Sequence, residues 1–441
     1  MAARIGVIGL GYIGLPLVAA FASRGAEVTG LDVEQGLVDA LTDGSAPRIH
    51  EPGVAEVLHS HRAQIRFTTS HADLVAAADV LFVTVGTPYV PGVGSDLTQV
   101  DRVTDSLAAV LRPGLTICLK STVPPGTTRR VAHRLGDLSG LTPGVDFWVA
   151  FCPERTIEGR ALEELLSLPN IVGGLDSEAT QRASEAIRPL SGYVVPVDSP
   201  EVAEVCKLVD NSYRALAIAF ANEVGGICER LGIDQHAVRD AVMDGYSRTE
   251  LFRTGFGAGG PCLSKDPPVL AETAANLGVS APVLAAAVTS NVEATESVAR
   301  QIEEFVRGLP GPRVRVALLG LAFKGRPETN DVREGPAEII YRHLSDALGE
   351  RVEFAVYDPV VKEFYGHLVE SLADAVHGAQ VVALLNDHPA LQGIASSELL
   401  RGTQRPLLVV DGWHGLADAR GVASMPGVDL MRLGDGTVKA R

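Results

Sequence analysis

Residues 4–14 read RIGVIGLGYIG: a short run rich in β-branched residues, then glycines at 9, 11 and 14. The run Arg4–Ile8 predicts a buried strand, and residues 15–24 carry a helical pattern. A second strand, Glu27–Leu31, delivers Asp32. Strand, tight turn, helix, strand, acid is the order of a βαβ unit, in which the helix carries the chain back before the next parallel strand begins. Gly9 permits the tight turn, Gly11 lets a pyrophosphate approach the backbone, and Gly14 permits close helix–strand packing. Tyr12 and Ile13 lie in the same turn. The helix amino terminus then faces phosphate. Asp32 can accept bonds from a ribose 2′-hydroxyl and repels a 2′-phosphate, so the expected cofactor is NAD rather than NADP. The blander alternative is a glycine-rich turn in an ordinary α/β domain.

Other strands are expected at residues 80–85, 116–120 and 147–150, each running into a polar or Gly/Pro turn: GTPYVP, STVPPG and CPER. Ligands of open α/β sheets sit beyond the carboxyl ends of strands, so these turns are site candidates on geometric grounds. The character changes near Pro200. Residues 201–231 and 280–306 are long helical patterns, with a shorter one at 236–243. After GLPGPR (308–313) a strand restarts at Val314–Leu319, with more at Val352–Tyr357, Val381–Leu384 and residues 407–410. No second G-x-G-x-x-G opens this last part, so it is expected to hold something other than a dinucleotide. The division expected is residues 1–200, 201–310 and 311–441: two Rossmann-like α/β domains joined by a central helical domain.

A chain of 441 residues accommodates two or three such domains. The net charge of -16 argues against a generic nucleic-acid or anionic-membrane surface. No apolar run is long enough to span a bilayer, and the amino terminus lacks a secretory arrangement. The five cysteines, 118, 152, 206, 228 and 262, form no C-x-x-C pair and no zinc-like cluster with histidine. A reducing, cytoplasmic compartment and no metal are therefore expected.

Two local patterns carry chemistry. Lys207 and Asn211 stand four apart on one helix face, where a cation and an amide can stabilise an oxyanion. The same spacing equally suits the solvent face of a surface helix. The second pattern is GFGAGGPCLSKDP (255–267). Most free cysteines are small buried hydrophobes, and Cys118 and Cys228 read that way. Cys262 differs: Gly255, Gly257, Gly259 and Gly260 leave the backbone free to approach a ligand. Lys265 lowers a neighbouring thiol's pKa and Asp266 raises it, which suggests proton handling more than thiol activation.

The motifs GLGYIGLPL (9–17), GTP (86–88), KSTVPPGT (120–127), CPER (152–155), KLVDNSYRA (207–215), GFGAGGPCLSKDP and GLAFKGRPETNDVRE (320–334) occur in this order. Together they resemble the nucleotide-sugar 6-dehydrogenases of the UDP-glucose/GDP-mannose dehydrogenase family. The resemblance implies an amino-terminal NAD domain, a helical centre used for homodimerisation, and a carboxyl-terminal domain for the sugar nucleotide. It implies a four-electron oxidation of a sugar C6 alcohol to a uronic acid, using two NAD molecules, for polysaccharide biosynthesis. By the same resemblance Cys262 is the nucleophile, Lys207 and Asn211 the oxyanion pair, and Asp266 a proton-transfer group. Glu154 is linked to thioester formation or hydrolysis, and Thr122 to positioning water or substrate. Thr87, Thr122, Lys265 and Arg333 fall on the cofactor side. Arg155, Phe256, Gly257, Gly259 and Lys324 join Glu154, Lys207 and Asn211 on the substrate side. CPER, ERTIEGRALEEL (154–165) and AFANE (219–223) look closer to the branch acting on UDP-N-acetylhexosamines, UDP-N-acetyl-D-mannosamine foremost. UDP-N-acetylglucosamine, UDP-glucose and GDP-mannose remain open as substrates. Competing classes are a two-electron β-hydroxyacid dehydrogenase and a nucleotide-sugar-binding protein without turnover.

Overall fold

A computed structural model describes residues 4–45 and 49–438. The chain divides into two compact units, one running to Asp210 and including Val269–Ser280, the other comprising Asn211–Pro268 and Ala281 onward. The boundary falls inside the long helix Pro200–Leu231 rather than at either of its ends.

The first unit is built on an eight-stranded sheet. In spatial order its strands are Val194–Val197, Asn170–Gly174, Trp148–Phe151, Thr116–Leu119, Val80–Val83, Arg4–Ile8, Glu27–Leu31 and Ile65–Thr68. The six from Trp148–Phe151 to Ile65–Thr68 are mutually parallel, the doubly wound order of a dinucleotide-binding fold. Asn170–Gly174 then pairs antiparallel with Trp148–Phe151. It ends the parallel series, and Val194–Val197 follows it as the edge. These last two strands and Ile65–Thr68 are not expected from the pattern. Val194–Val197 carries Pro196, which only an edge strand tolerates, and Asn170–Gly174 ends on two glycines. Both faces of the sheet are covered. Ile5, Val7 and Phe82 pack against the helix Gly14–Ser23, while Ile8, Leu81 and Val83 face the other layer. That double burial explains why the strands read as near-continuous apolar runs.

The second unit has a five-stranded, all-parallel sheet in the order Val352–Tyr357, Val314–Leu319, Val381–Leu384, Leu407–Asp411, Val428–Arg432. This is the other common doubly wound order, with its switch point between Val314–Leu319 and Val381–Leu384. The helices Gln235–Met243 and Pro282–Gly308 precede it, and Val298, Ile302 and Val306 of the latter pack into the core on one sheet face. No helix among the described residues is long and apolar enough to cross a membrane.

One polar contact in this unit has no sequence signature. The rings of His236 and His414 stack with centroids 3.8 Å apart, and the His414 Nε2–H donates to the Leu433 carbonyl at 2.9 Å. Asp234, His236 and His414 offer metal-type ligand atoms within 4.8 Å of one another. Burial and the neighbouring His414, with Arg253 and Arg432, push His236 down to about 4, against the pull of Asp234. The linkage has a definite sign. Below pH ~6.5 the unfolded chain takes up a proton that the folded ring refuses until about pH 4, so stability is lost as pH falls through this window. In His236→Phe, which keeps an aromatic face on His414, the drop in melting temperature between pH 7 and pH 5 should be smaller than in the parent. An equal drop in calorimetry would remove His236 from this role.

Candidate active site

The glycine turn is fixed by a contact that admits no side chain. A Cβ on Gly14 would lie 1.8 Å from the Gly9 carbonyl oxygen, and Gly9 itself has a φ of +91°. The helix Gly14–Ser23 therefore starts directly against the strand end. A Cβ on Gly11 would meet nothing within 4 Å, so the turn is open where a phosphate would approach. Asp32 ties the turn to the second strand: one carboxylate oxygen accepts from the Leu10 amide at 2.8 Å and the other from the Glu34 amide at 3.0 Å. Each oxygen keeps a second lone pair for a ribose hydroxyl. An open cradle, a helix amino terminus and a carboxylate beside it fit a dinucleotide.

Further loops leave the carboxyl ends of the same sheet. The Thr87 hydroxyl donates to the Thr122 carbonyl at 2.6 Å, joining the loop after Val80–Val83 to the loop after Thr116–Leu119. The next loop carries Glu154, which is buried. Its Oε1 accepts from the Arg155 amide at 2.8 Å and the Thr156 amide at 2.7 Å, and its Oε2 lies 3.0 Å from the Lys120 ammonium. Burial pushes this carboxyl up, but the Lys120 charge and the Thr156 hydrogen bonds outweigh it and hold it below the ordinary range. The Arg155 side chain, expected to face substrate, is engaged by Asp210 at 2.7 Å. Lys207 and Asn211 are only 6% and 8% exposed, which removes the solvent-face alternative.

In the second unit, Asn211, Lys265 and Asp266 converge. Asp266 is fully buried and opens the helix Asp266–Asn276. It accepts from Asn211 Nδ2 at 2.6 Å, and the Lys265 ammonium lies 2.8 Å from its other oxygen. The two opposing influences on the thiol expected from Lys265 and Asp266 are therefore joined in one ion pair. Cys262 is exposed, in the turn just before the helix, where its carbonyl accepts from the Asp266 amide at 3.0 Å. The other four cysteines are buried or half-buried.

The glycine run has a different surrounding from the one expected. A Cβ on Gly257 would lie 2.3 Å from the Asn291 carbonyl oxygen, and one on Gly260 would lie 2.7 Å from the Phe323 ring. These glycines make room for protein. Phe256, expected beside substrate, is 2% exposed and its ring belongs to the apolar core. Its carbonyl accepts from the Thr295 hydroxyl. Gly259 faces the Glu334 carbonyl. Lys324 lies over the Phe323 ring at 5.3 Å. Arg333 makes hydrogen bonds to both Asp331 oxygens. Lys120 and Glu204 escape a motif-based reading. Lys120 stands at the end of a strand inside a quoted motif. Glu204 is fully buried and accepts from the Gly126 amide, the Thr128 amide and the Thr128 hydroxyl, capping the helix Thr127–Ser139. Its only sequence signal is an acid three residues before Lys207 on the buried face of the same helix.

This architecture is shared with known proteins. Residues 3–191 match the NAD-binding domain of the UDP-glucose/GDP-mannose dehydrogenase family, 201–293 its central domain and 317–418 its UDP-binding domain. The chain belongs to this family and is an NAD-dependent nucleotide-sugar 6-dehydrogenase. It is 30% identical over 423 residues to a UDP-N-acetyl-D-mannosamine dehydrogenase of Pyrococcus horikoshii, covering 93% of this chain and 95% of that one. It is 34% identical over 371 residues to a GDP-mannose 6-dehydrogenase of Pseudomonas putida, covering 81% of each. Among solved structures, the UDP-D-ManNAc dehydrogenase of P. horikoshii superposes with a TM-score of 0.87 at 28% identity, covering 99% of this chain and 100% of that one. A UDP-glucose dehydrogenase of Pyrobaculum islandicum gives 0.84 at 30% identity, covering 99% and 98%.

The Asp32 geometry generates a direct expectation. Asp32→Ala removes both the anchor of the turn and the ribose acceptor, and hydrogen bonds to a charged group contribute about 1.5–3 kcal/mol. The NAD dissociation constant, followed by fluorescence titration, should rise roughly 10- to 100-fold. An unchanged constant would exclude the ribose role.

Proposed function

We propose that this enzyme oxidises the C6 alcohol of UDP-N-acetyl-D-mannosamine to the uronic acid, with Cys262 as covalent nucleophile. The observation that carries the mechanism is the Asn211–Asp266–Lys265 cluster around the fully buried Asp266, whose amide donates to the carbonyl of the exposed Cys262. An alcohol cannot become an acid by hydride loss alone, because the aldehyde must gain an oxygen substituent or its equivalent before a second hydride can leave. A thiolate adding to the aldehyde gives a thiohemiacetal, whose oxidation yields a thioester. Water then displaces the thiolate and releases the carboxylate. NAD, held by the Gly9, Gly11 and Gly14 turn with Tyr12, Ile13, Asp32 and Thr87, supplies the capacity to accept hydride.

The chain's own groups have defined tasks in this reading. Lys207 and Asn211 stabilise the oxyanion that forms at C6 in each addition. Asp266 exchanges the proton of the thiol and the reacting oxygen, with Asn211 holding one of its oxygens and Lys265 the other. Glu154 and Thr122 orient water for thioester hydrolysis. Lys265 and Arg333 serve the cofactor side. Lys324, Gly259 and the backbone of Phe256 and Gly257 serve the sugar nucleotide. Arg155 acts through its ion pair with Asp210. The mannosamine assignment is supported by the name of the P. horikoshii relative and by the 154–165 and 219–223 segments. The P. putida relative keeps GDP-mannose as the second reading.

NADH release measured across UDP- and GDP-hexoses, with product mass, tests substrate and stoichiometry together. Two NADH per UDP-N-acetyl-D-mannosamine are expected. One NADH, with aldehyde as the final product, would overturn the four-electron route. Cys262→Ser should lower acid production by more than about a hundredfold. Normal turnover by that variant would exclude the covalent step.

We further assign residues 1–200, 201–310 and 311–441 as cofactor, central and sugar-nucleotide domains of a cytoplasmic homodimer. Supporting the dimer, the helix Pro200–Leu231 exposes Val202, Val205, Val209, Tyr213, Phe220 and Ile227 along one face. The spacing is that of a helix seam, and a second copy presents the same stripe. Val209→Asp combined with Phe220→Asp should convert a dimer to a monomer in sedimentation velocity. An unchanged sedimentation coefficient would place the interface elsewhere.

A further inference from the structure

We propose that Lys120 is a positioning residue for the oxidation: it holds Glu154 as a fixed anion, so that Glu154 orients water by accepting its hydrogen bond rather than by storing its proton. The inference rests on the role given to Glu154 above.

The geometry is that of a built pair. Lys120 follows the strand Thr116–Leu119 and its side chain is 1% exposed. Its ammonium lies 3.0 Å from Glu154 Oε2 and donates to the Pro153 carbonyl at 3.4 Å. The two strand ends are locked by the Cys152 amide, which donates to the Leu119 carbonyl at 2.8 Å. Burying an ammonium and a carboxylate is costly even when they are paired, and apolar residues of similar volume often serve stability as well or better. A pair placed beyond the carboxyl edge of the sheet is therefore better explained by what it does to the carboxylate.

The surroundings of Glu154 point one way. Oε1 is bound by two amides of its own loop, and Oε2 faces Lys120. Among the described residues of the first unit, Lys120 is the charged side chain that contacts this carboxylate, since the Arg155 guanidinium is drawn to Asp210. The nearby titratable groups, Cys118 and Cys152, are fully buried. Their mutual hydrogen bond and burial push the Cys118 thiol well up, so it stays neutral. A side chain meant to carry a proton at neutral pH is best tuned near the working pH. Here the net effect is the reverse: Glu154 is held below its usual range despite its burial.

The test compares Lys120→Met, Lys120→Arg and Glu154→Gln, using whichever nucleotide sugar supports NADH release. Without the ammonium, burial acts unopposed and the Glu154 carboxyl rises. In Lys120→Met the acidic limb of the kcat profile should move up by about one unit or more. Turnover at a fixed pH on that limb should then fall about tenfold for each unit moved, with recovery toward neutral and alkaline pH. Lys120→Arg should keep the limb near that of the parent. A purely structural loss would lower the whole profile without moving its limb.

A second measurement covers poor folding of the single variants. Melting temperatures of Lys120→Met, Glu154→Gln and the double variant form a cycle, and the double variant should be more stable than the sum of the single losses predicts. Strictly additive losses, or a folded Lys120→Met with an unmoved limb, would overturn the proposal. Undiminished turnover by Glu154→Gln would instead remove Glu154 from the reaction. Slowed Glu154→Gln turnover with an unmoved limb in Lys120→Met would leave that role standing and reject the one given to Lys120.

Discussion

Parallel pairing is the constraint on which the first unit depends. Six strands run the same way, so each discharges its loop at the same edge of the sheet. The glycine turn, Asp32, Thr87, Thr122 and Glu154 come from five different strand ends. They share an edge because no parallel strand can deliver its carboxyl end elsewhere. The absence of room for a methyl between Gly14 and the Gly9 carbonyl fixes how closely the first helix meets that edge. The antiparallel strand Asn170–Gly174 closes the series, and no further loop is added to it.

Once the loops share an edge, buried and half-buried polar groups fix their conformations. Asp32 is held by two amides, Thr87 by the Thr122 carbonyl, and Glu154 by two amides and Lys120. The second unit repeats the device with Asp266 between Asn211 and Lys265. In each case a carboxylate or hydroxyl is satisfied by neighbours that also restrict its direction. Such groups lose little orientational freedom when a ligand arrives, which is the physical content of preorganisation.

Much of this was legible in the sequence, for identifiable reasons. The first strand–turn–helix was readable because glycine is demanded at fixed offsets and an acid must end the next strand. The central helices were readable from apolar spacing, and the second sheet from the restart after GLPGPR. The two strands at one end of the first sheet were not, since Val194–Val197 contains a proline and the strand Asn170–Gly174 breaks its apolar run with glycines. The burial of Lys207 and Asn211 was undecidable from spacing, because a buried polar face and a solvated one have the same period. The resemblance puts Phe256, Gly257 and Gly259 beside the ligand, and a glycine-rich run permits such an approach. The packing partners, Asn291 and Phe323, are too distant in sequence to be read from it. The same distance hid the pairing of His236 with His414.

Glu204 has a consequence for the edge as a whole. Gly14–Ser23 and Thr127–Ser139 are among the helices that begin at loops leaving this sheet, and each presents unsatisfied amides at its start. At Thr127–Ser139 the protein supplies its own anion, with the Glu204 carboxylate seated on the Gly126 and Thr128 amides. At Gly14–Ser23 no side chain caps the helix. The chain has thus filled the anion seat at Thr127–Ser139 with an internal tenant. A diphosphate arriving at this edge is thereby turned away from the start of Thr127–Ser139, whereas the start of Gly14–Ser23 keeps its amides for a ligand.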